Sequence, residues 1–377
     1  MKRALDGVIT ALKGFDDRRI DLLVGEPCFG PPDEIRSAFV RTAGAPISGY
    51  GPAAGLGELR EVLAARVGGD VASDQVVVTH GAKAGLLATL ATLVAPGDEV
   101  VHPLPCYPAY PAMVRRLGGV PVAVDEGGFG GWPARVDAVV GEKTRALVLS
   151  SPSNPTGAVV SAADLAGLVD SCRRRGVRLI LDEAYAAFRF DGGALDPEVD
   201  PGLQTMVRIG SASKSLAVPG WRMGWVVADA ELAGSVAGTQ AALLNPPATP
   251  PQQALLALPE VPASFFEENR REVRTRMTAL AGAMRSAGFE CSLPTGGFYL
   301  WIDVRDRLDG ESSAAWCERL ARDHGIGSWP GEDYGCPGFI RLALPQGNPW
   351  RHDVEELGRR LESIFEPQGT QRSQGRR

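Results

Sequence analysis

From Val76 onward the chain alternates short apolar runs with longer segments of helical period, and this rhythm limits the fold more than any other feature. Residues 76–79, 99–101, 120–124, 146–149, 178–181 and 206–210 read as strands buried on both faces, because their apolar residues run on. Helices are expected between them, at 84–94, at 112–117 and after Ser161. In the last of these Asp164 stands three residues past the cap, Leu165, Leu168, Val169 and Cys172 share one face, and Gly176 ends the helix. Strands and helices alternating at these lengths imply an α/β fold with a mostly parallel sheet covered on both faces.

The rhythm changes near Asn245-Pro246-Pro247. A long charged helix over 263–287 follows, then short segments at 291–293 and 297–302, a helix at 313–324 and a strand at 339–344. This reads as a smaller α+β domain. Residues 367–377 are polar and rich in Gly, Gln and Arg, and are expected to be disordered. A length of 377 residues suits one large and one small domain. The net charge of -6 leaves no basic footprint for nucleic acid, and every apolar run is too short or too interrupted to span a membrane. Met1-Lys2-Arg3 is followed by Asp6 and Lys13, a poor secretory signal. Six cysteines without a C-x-x-C pair argue against a zinc ribbon or a disulfide scaffold and fit a reducing cytoplasm. The four histidines have no metal-ligand spacing, so no metal is expected. The glycine run from Glu126 to Gly131 lacks a following Lys-Ser/Thr and reads as a surface turn.

Chemistry concentrates around Lys214. It follows an apolar strand and sits among Ser211, Ser213 and Ser215, with Arg222 eight residues on. Desolvation and a nearby cation both favour the neutral, nucleophilic amine, which a carbonyl cofactor would capture as a Schiff base. Serine hydroxyls and a guanidinium fork are what a phosphate needs. Gly81, Tyr107, Asn154, Asp182 and Lys214 all stand just past the ends of expected strands, where ligands of open α/β sheets bind. Asp182 ends an apolar strand and needs a cation, which a protonated pyridine nitrogen would supply; Tyr185 is three residues on. Arg341, on an apolar strand, suits a carboxylate or an internal ion pair. Taken singly, a loop lysine, a capping aspartate, a turn asparagine and a packing tyrosine are plainer readings. Their convergence on one crevice argues for a site.

The segments Gly25-Glu26-Pro27, Tyr50 to Gly55, Gly81-Ala82-Lys83, Pro105-Cys106-Tyr107-Pro108, Asn154-Pro155-Thr156-Gly157, Asp182-Glu183-Ala184-Tyr185, Ser211-Ala212-Ser213-Lys214, Gly220-Trp221-Arg222-Met223-Gly224, Gly296-Gly297-Phe298-Tyr299 and Arg341 occur in this order. In that order the chain, from about residue 20 to about residue 362, resembles the class I/II aminotransferases, pyridoxal-phosphate enzymes of fold type I. It is most similar to the branch with bacterial aspartate and succinyldiaminopimelate aminotransferases. Two differences stand out: the segment before Gly25 is shorter than usual, and Cys28 stands where an acid is more common.

The resemblance implies a large cofactor domain over 35–245 with a mostly parallel seven-stranded sheet, a small domain over 246–366, and an arm over 1–34 that partly joins the small domain. It implies a cytoplasmic homodimer that moves an amino group between an L-amino acid and a 2-oxo acid by a ping-pong route through an aldimine on Lys214. Lys214 would hold pyridoxal 5'-phosphate and carry the substrate Cα proton. Asp182 would pair with the pyridinium nitrogen, Asn154 and Tyr185 would bond the phenolic oxygen, and Tyr107 would stack on the ring. Ser211, Ser213, Arg222 and the turn at Gly81, Ala82 and Lys83 would hold the phosphate, with Tyr50 reaching in from the neighbouring subunit. Arg341 would clamp the substrate α-carboxylate with Asn154 and Gly25, and Lys83 would meet an acidic side chain. Elimination, replacement or cyclisation on the same residues is the alternative among enzymes. A ligand sensor is disfavoured because the first 20 residues hold no helix-turn-helix pattern.

Overall fold

The computed structural model describes residues 3–15, 18–44, 49–193, 199–347 and 349–365; the expected disordered tail at 367–377 lies outside them. After a two-residue strand β1 (Ile20–Asp21), seven strands follow: β2 (Val76–Thr79), β3 (Glu99–Leu104), β4 (Val120–Asp125), β5 (Thr144–Ser150), β6 (Arg178–Asp182), β7 (Met206–Ser211) and β8 (Gly224–Val227). They form one sheet in the order β2-β8-β7-β6-β5-β3-β4. Strands β3 to β7 pair in parallel, and β8 runs antiparallel between β2 and β7.

The run-on apolar strands are buried as their composition requires. In β7 every residue is buried, and in β5 all but Arg145. Alternate side chains feed two cores. Leu147, Leu149, Leu179, Leu181 and Val227 pack on one face of the sheet. Val148, Ile180, Val207, Ile209 and Val226 pack on the other. Between β5 and β6 the helix Ala162–Arg175 starts as its sequence dictates: Ser161 Oγ accepts from the Asp164 amide at 3.0 Å, and Gly176 ends it at φ +66°. The strands bring Thr79, Ser150, Asp182 and Ser211 to one end of the sheet.

Beyond residue 290 come β9 (Tyr299–Asp303), β10 (Ile326–Gly327), β11 (Trp329–Pro330) and β12 (Phe339–Ala343). β9, β12 and β11 form an antiparallel sheet, while β10 pairs in parallel with β1. The helices Ala4–Lys13, Ala263–Ser286, Ser313–His324 and Trp350–Phe365 share a core here through Val8, Leu12, Met277, Leu280, Trp316, Leu320 and Leu357. The two ends of the described chain therefore meet.

The structure corrects one expectation outright. Glu126 to Gly131 is not a simple surface turn, because Glu126 and Phe129 are each only 1% exposed. Glycines 127, 128 and 131 have positive φ, which lets the backbone double back while those two side chains point inward.

Candidate active site

The residues singled out in the sequence surround a cavity of about 270 Å³ at the strand ends. Gly25, Ala82, Lys83, Tyr107, Asn154, Asp182, Tyr185, Ser211, Ser213, Lys214, Arg222 and Arg341 all line it. Gly81 stands beside it, and Tyr50 does not line it at all, being 90% exposed. A second cavity, of about 510 Å³, opens on the other sheet face against Leu181, Glu183, Arg208 and Trp225. Its size does not make it the reactive site, since its innermost charges, Arg208 and Glu183, already pair at 2.8 and 3.0 Å.

Lys214 lies in the one-turn helix Ala212–Ser215 that follows β7. Ser211 Oγ accepts from the Ser213 amide at 3.2 Å, and Ser215 Oγ donates to the Ser211 carbonyl at 3.0 Å. These bonds tighten the turn and aim the lysine across the cavity, where Nζ donates to the Gly25 carbonyl at 2.6 Å. Burial, with help from Arg341 and Arg222, lowers its pKa to about 8 against the opposing pull of Glu26. Gly25 must lack a side chain, since a Cβ there would lie 2.4 Å from the Tyr299 hydroxyl.

Asp182 ends β6 and is 9% exposed. Its carboxylate accepts from the Tyr110 hydroxyl at 2.9 Å and from the Ala184 amide at 3.0 Å. Burial still raises its pKa to about 6, and among the described residues no cation pairs with it. Arg222 shows the complementary deficit. Its guanidinium donates to the carbonyls of Pro219 (3.0 Å) and His80 (3.5 Å), with no carboxylate partner among the described residues. Gly81 lies so close that a Cβ would stand 2.8 Å from Arg222 Nη2, and its φ of +82° also excludes side chains.

Arg341 is the cation of β12 and is 2% exposed. Nη1 donates to Asn154 Oδ1 at 3.1 Å and Nη2 to the Leu23 carbonyl. The rings of Tyr299 and Trp329 lie 4.1 and 4.4 Å from its Cζ, and Nε has no partner among the described residues. Among the described residues no carboxylate pairs with Arg341, so the open alternative of an internal ion pair finds no support there. The Tyr185 and Tyr299 hydroxyls are 2.6 Å apart. Lys83 is exposed on the cavity rim and has no ion pair among the described residues.

The family described as aminotransferase class I and II matches residues 17–360. The chain belongs to the class I and II aminotransferases. It is 33% identical over 335 residues to the aspartate/prephenate aminotransferase of Thermus thermophilus, covering 86% of each chain. It is 34% identical over 337 residues to an arginine–pyruvate transaminase of Pseudomonas aeruginosa, covering 86% of this chain and 85% of that one. A double mutant of the Thermus thermophilus aspartate aminotransferase superimposes with a TM-score of 0.90 at 29% identity, covering 97% of both chains. As a class I/II aminotransferase the protein transfers amino groups and uses pyridoxal phosphate.

The cavity suits that cofactor by its own chemistry. Among the described residues it offers a buried acid lacking a cation, a guanidinium lacking an anion beside a glycine that leaves room, and an amine that burial makes easier to deprotonate. Pyridoxal phosphate carries the three complements: a ring nitrogen that can be cationic, a phosphate, and a carbonyl.

Several lining residues were not singled out in the sequence. Tyr110 and Ser150 face the cavity because a helix over Ala109–Arg116 and the end of β5 turn them inward; Trp329 does so from β11. Tyr110 stands three residues past Tyr107, but Tyr107 precedes the helix, so no helical spacing linked the two. Cys28 packs against the core of the small domain, and burial raises its thiol pKa, which disfavours the thiolate.

Proposed function

We propose that this aminotransferase moves an amino group between an L-amino acid with an acidic side chain and a 2-oxo acid, with Lys214 as the covalent anchor. The observation that carries the reading is the convergence of Lys214, Asp182, Arg222 and Arg341 on one cavity, where none of them forms an ion pair among the described residues.

Pyridoxal phosphate, when bound, supplies an electron-withdrawing heterocycle that acidifies the hydrogen on the substrate Cα. Lys214 Nζ would hold the cofactor covalently as a neutral amine, and the same amine, when free, would accept the Cα proton. Asp182 supplies the negative charge for the ring nitrogen, oriented by the Tyr110 hydroxyl. Asn154 and Tyr185 would donate to the phenolic oxygen, and Tyr107 would cover the ring. Ser211, Ser213, Arg222 and the turn at Gly81, Ala82 and Lys83 would hold the phosphate. Arg341, steadied by Asn154 and the Leu23 carbonyl, binds the substrate α-carboxylate, with the Gly25 backbone alongside.

Lys83 favours an acidic side chain, because its ammonium sits free on the cavity rim. Glu26, whose charge is felt at Lys214, favours a cationic side chain as the second reading. Mixing the holoenzyme with single amino acids and following conversion of the cofactor to its amine form decides between them. We expect aspartate or glutamate to react fastest. In Lys83→Ala their kcat/KM should fall about 10- to 100-fold, with little loss for neutral amino acids, in line with about 1.5–3 kcal/mol for a hydrogen bond to a charged group. An unchanged acidic preference removes the argument from Lys83.

We also propose a homodimer. Tyr50, Leu243 and Leu244 are exposed at 90%, 53% and 40%, an apolar surface that a second copy would cover. Tyr50 would then reach the other subunit's phosphate. Light scattering should give about twice the chain mass, and Tyr50→Phe should weaken cofactor retention; a monomer with full cofactor affinity contradicts this. We propose a large domain over 35–245 and a small one over 246–366 that closes on substrate with the arm at 1–34; Leu5, Val8 and Leu12 share a core with Leu320 and Leu357, which supports the arm's place, while Leu255, Leu258 and Val261 pack in a core of the large domain. Scattering that shows no compaction with substrate would contradict closure. The six free cysteines support a cytoplasmic location, which cell fractionation tests.

A further inference from the structure

The acid at position 126 takes no part in the site as described, yet it is one of the most deeply buried charged residues of the protein. It stands just past β4, pinned by its own backbone. Its amide donates to the Leu104 carbonyl at 3.0 Å, and its carbonyl accepts from Arg135 Nη2 and the Phe129 amide, each at 2.7 Å. Its side chain reaches behind the turn that carries Asn154. Thr156 Oγ1 donates to Glu126 Oε1 at 2.5 Å, and Ser153 Oγ donates to Oε2 at 3.4 Å. The two hydroxyls bracket Asn154-Pro155, so one carboxylate holds the turn from both sides. In front of the turn, Asn154 Oδ1 takes the 3.1 Å bond from Arg341.

We propose that Glu126 is a positioning residue that locks the Asn154 turn against Arg341 and so sets how tightly the site grips the carboxylate of an amino acid. The inference rests on Arg341 and Asn154 being the carboxylate clamp.

A carboxylate accepts from both hydroxyls at once, whereas a protonated acid must give one of its oxygens to a proton. Burial favours the protonated form and raises the pKa to about 7, against the pull of the Thr156 and Ser153 bonds. The groups around it do not add a cation to the carboxylate. Asp125 next in the chain pushes the pKa up, the Cys106 and Cys336 thiols nearby have raised pKa values of their own, and the Arg135 guanidinium bonds the Glu126 carbonyl. The grip should therefore strengthen as pH rises through about 7.

The test uses holoenzyme and 2-methylalanine, which has an amine and a carboxylate but no Cα hydrogen and no functional side chain. Its affinity is read from the change in cofactor absorbance between pH 6 and 8.5. In Glu126→Gln, affinity at pH 8 should fall about tenfold, and the difference from the native enzyme should vanish toward pH 6. Turnover of Glu126→Gln at pH 8 should show the same effect, with KM for the amino donor raised and kcat within about threefold of the native value. Thr156→Val should reproduce the loss and Thr156→Ser should restore native affinity, which a merely structural role for the acid does not require. Equal affinity of Glu126→Gln and native enzyme at pH 8 overturns the proposal. So does a loss that is the same at every pH. Arg341→Lys separates this from the underlying reading: if that variant binds 2-methylalanine as well as the native enzyme does, the clamp itself is misassigned.

Discussion

Replacing Lys214 by alanine should reduce amino-group transfer by at least about 10⁴-fold, because the substitution removes both the covalent anchor and the base for the Cα proton. The effect should be on chemistry and not on folding. The side chain gives up one bond, to the Gly25 carbonyl, while the turn around it is held by Ser211 and Ser215. The variant should melt near the native temperature and still take up pyridoxal phosphate weakly through Arg222 and the serines, without the absorbance of the covalently held form. Substantial turnover in Lys214→Ala would contradict the role given to it.

The second large effect is expected at Asp182. Asp182→Ala should lower kcat/KM by about two to three and a half orders of magnitude. This corresponds to about 3–5 kcal/mol for removing one partner of a buried charge pair, at 1.36 kcal/mol per decade. The acid's pKa of about 6 in the structure belongs to a carboxyl facing no cation. A cationic ring nitrogen opposite would pull that pKa down and keep the acid ionised across the working range. The loss in Asp182→Ala should therefore persist from pH 6 to 9. Steady-state kinetics across that range checks it, and a loss under tenfold would mean that the ring nitrogen is stabilised by something else.

Much of this site was legible because its residues stand at fixed places in a repeating pattern. A run-on apolar strand ending in Asp182, or one ending in Ser211 before Lys214, delivers its last polar residue to the sheet edge whatever the packing details. The long helix at 263–286 and the cap at Ser161 were readable for the same local reasons. Pairings between distant segments were not. Tyr110 bonding Asp182 spans 72 residues, and Arg341 bonding the Leu23 carbonyl spans 318. No periodicity reports such contacts. The helix Ala230–Leu244 escaped notice because its Ala and Gly residues leave no apolar stripe to count. Glu126 was misread because a glycine-rich run looks solvated, and the sequence does not show that its acid and Phe129 turn inward.

The account turns on one covalent bond. Purified protein loaded with pyridoxal phosphate should be treated with borohydride, digested, and its peptides weighed by mass spectrometry. The account predicts a stable adduct of the reduced cofactor on the peptide containing Lys214, and none in Lys214→Ala. A protein that binds the cofactor but yields no adduct at Lys214, or one at another lysine such as Lys83, would contradict it.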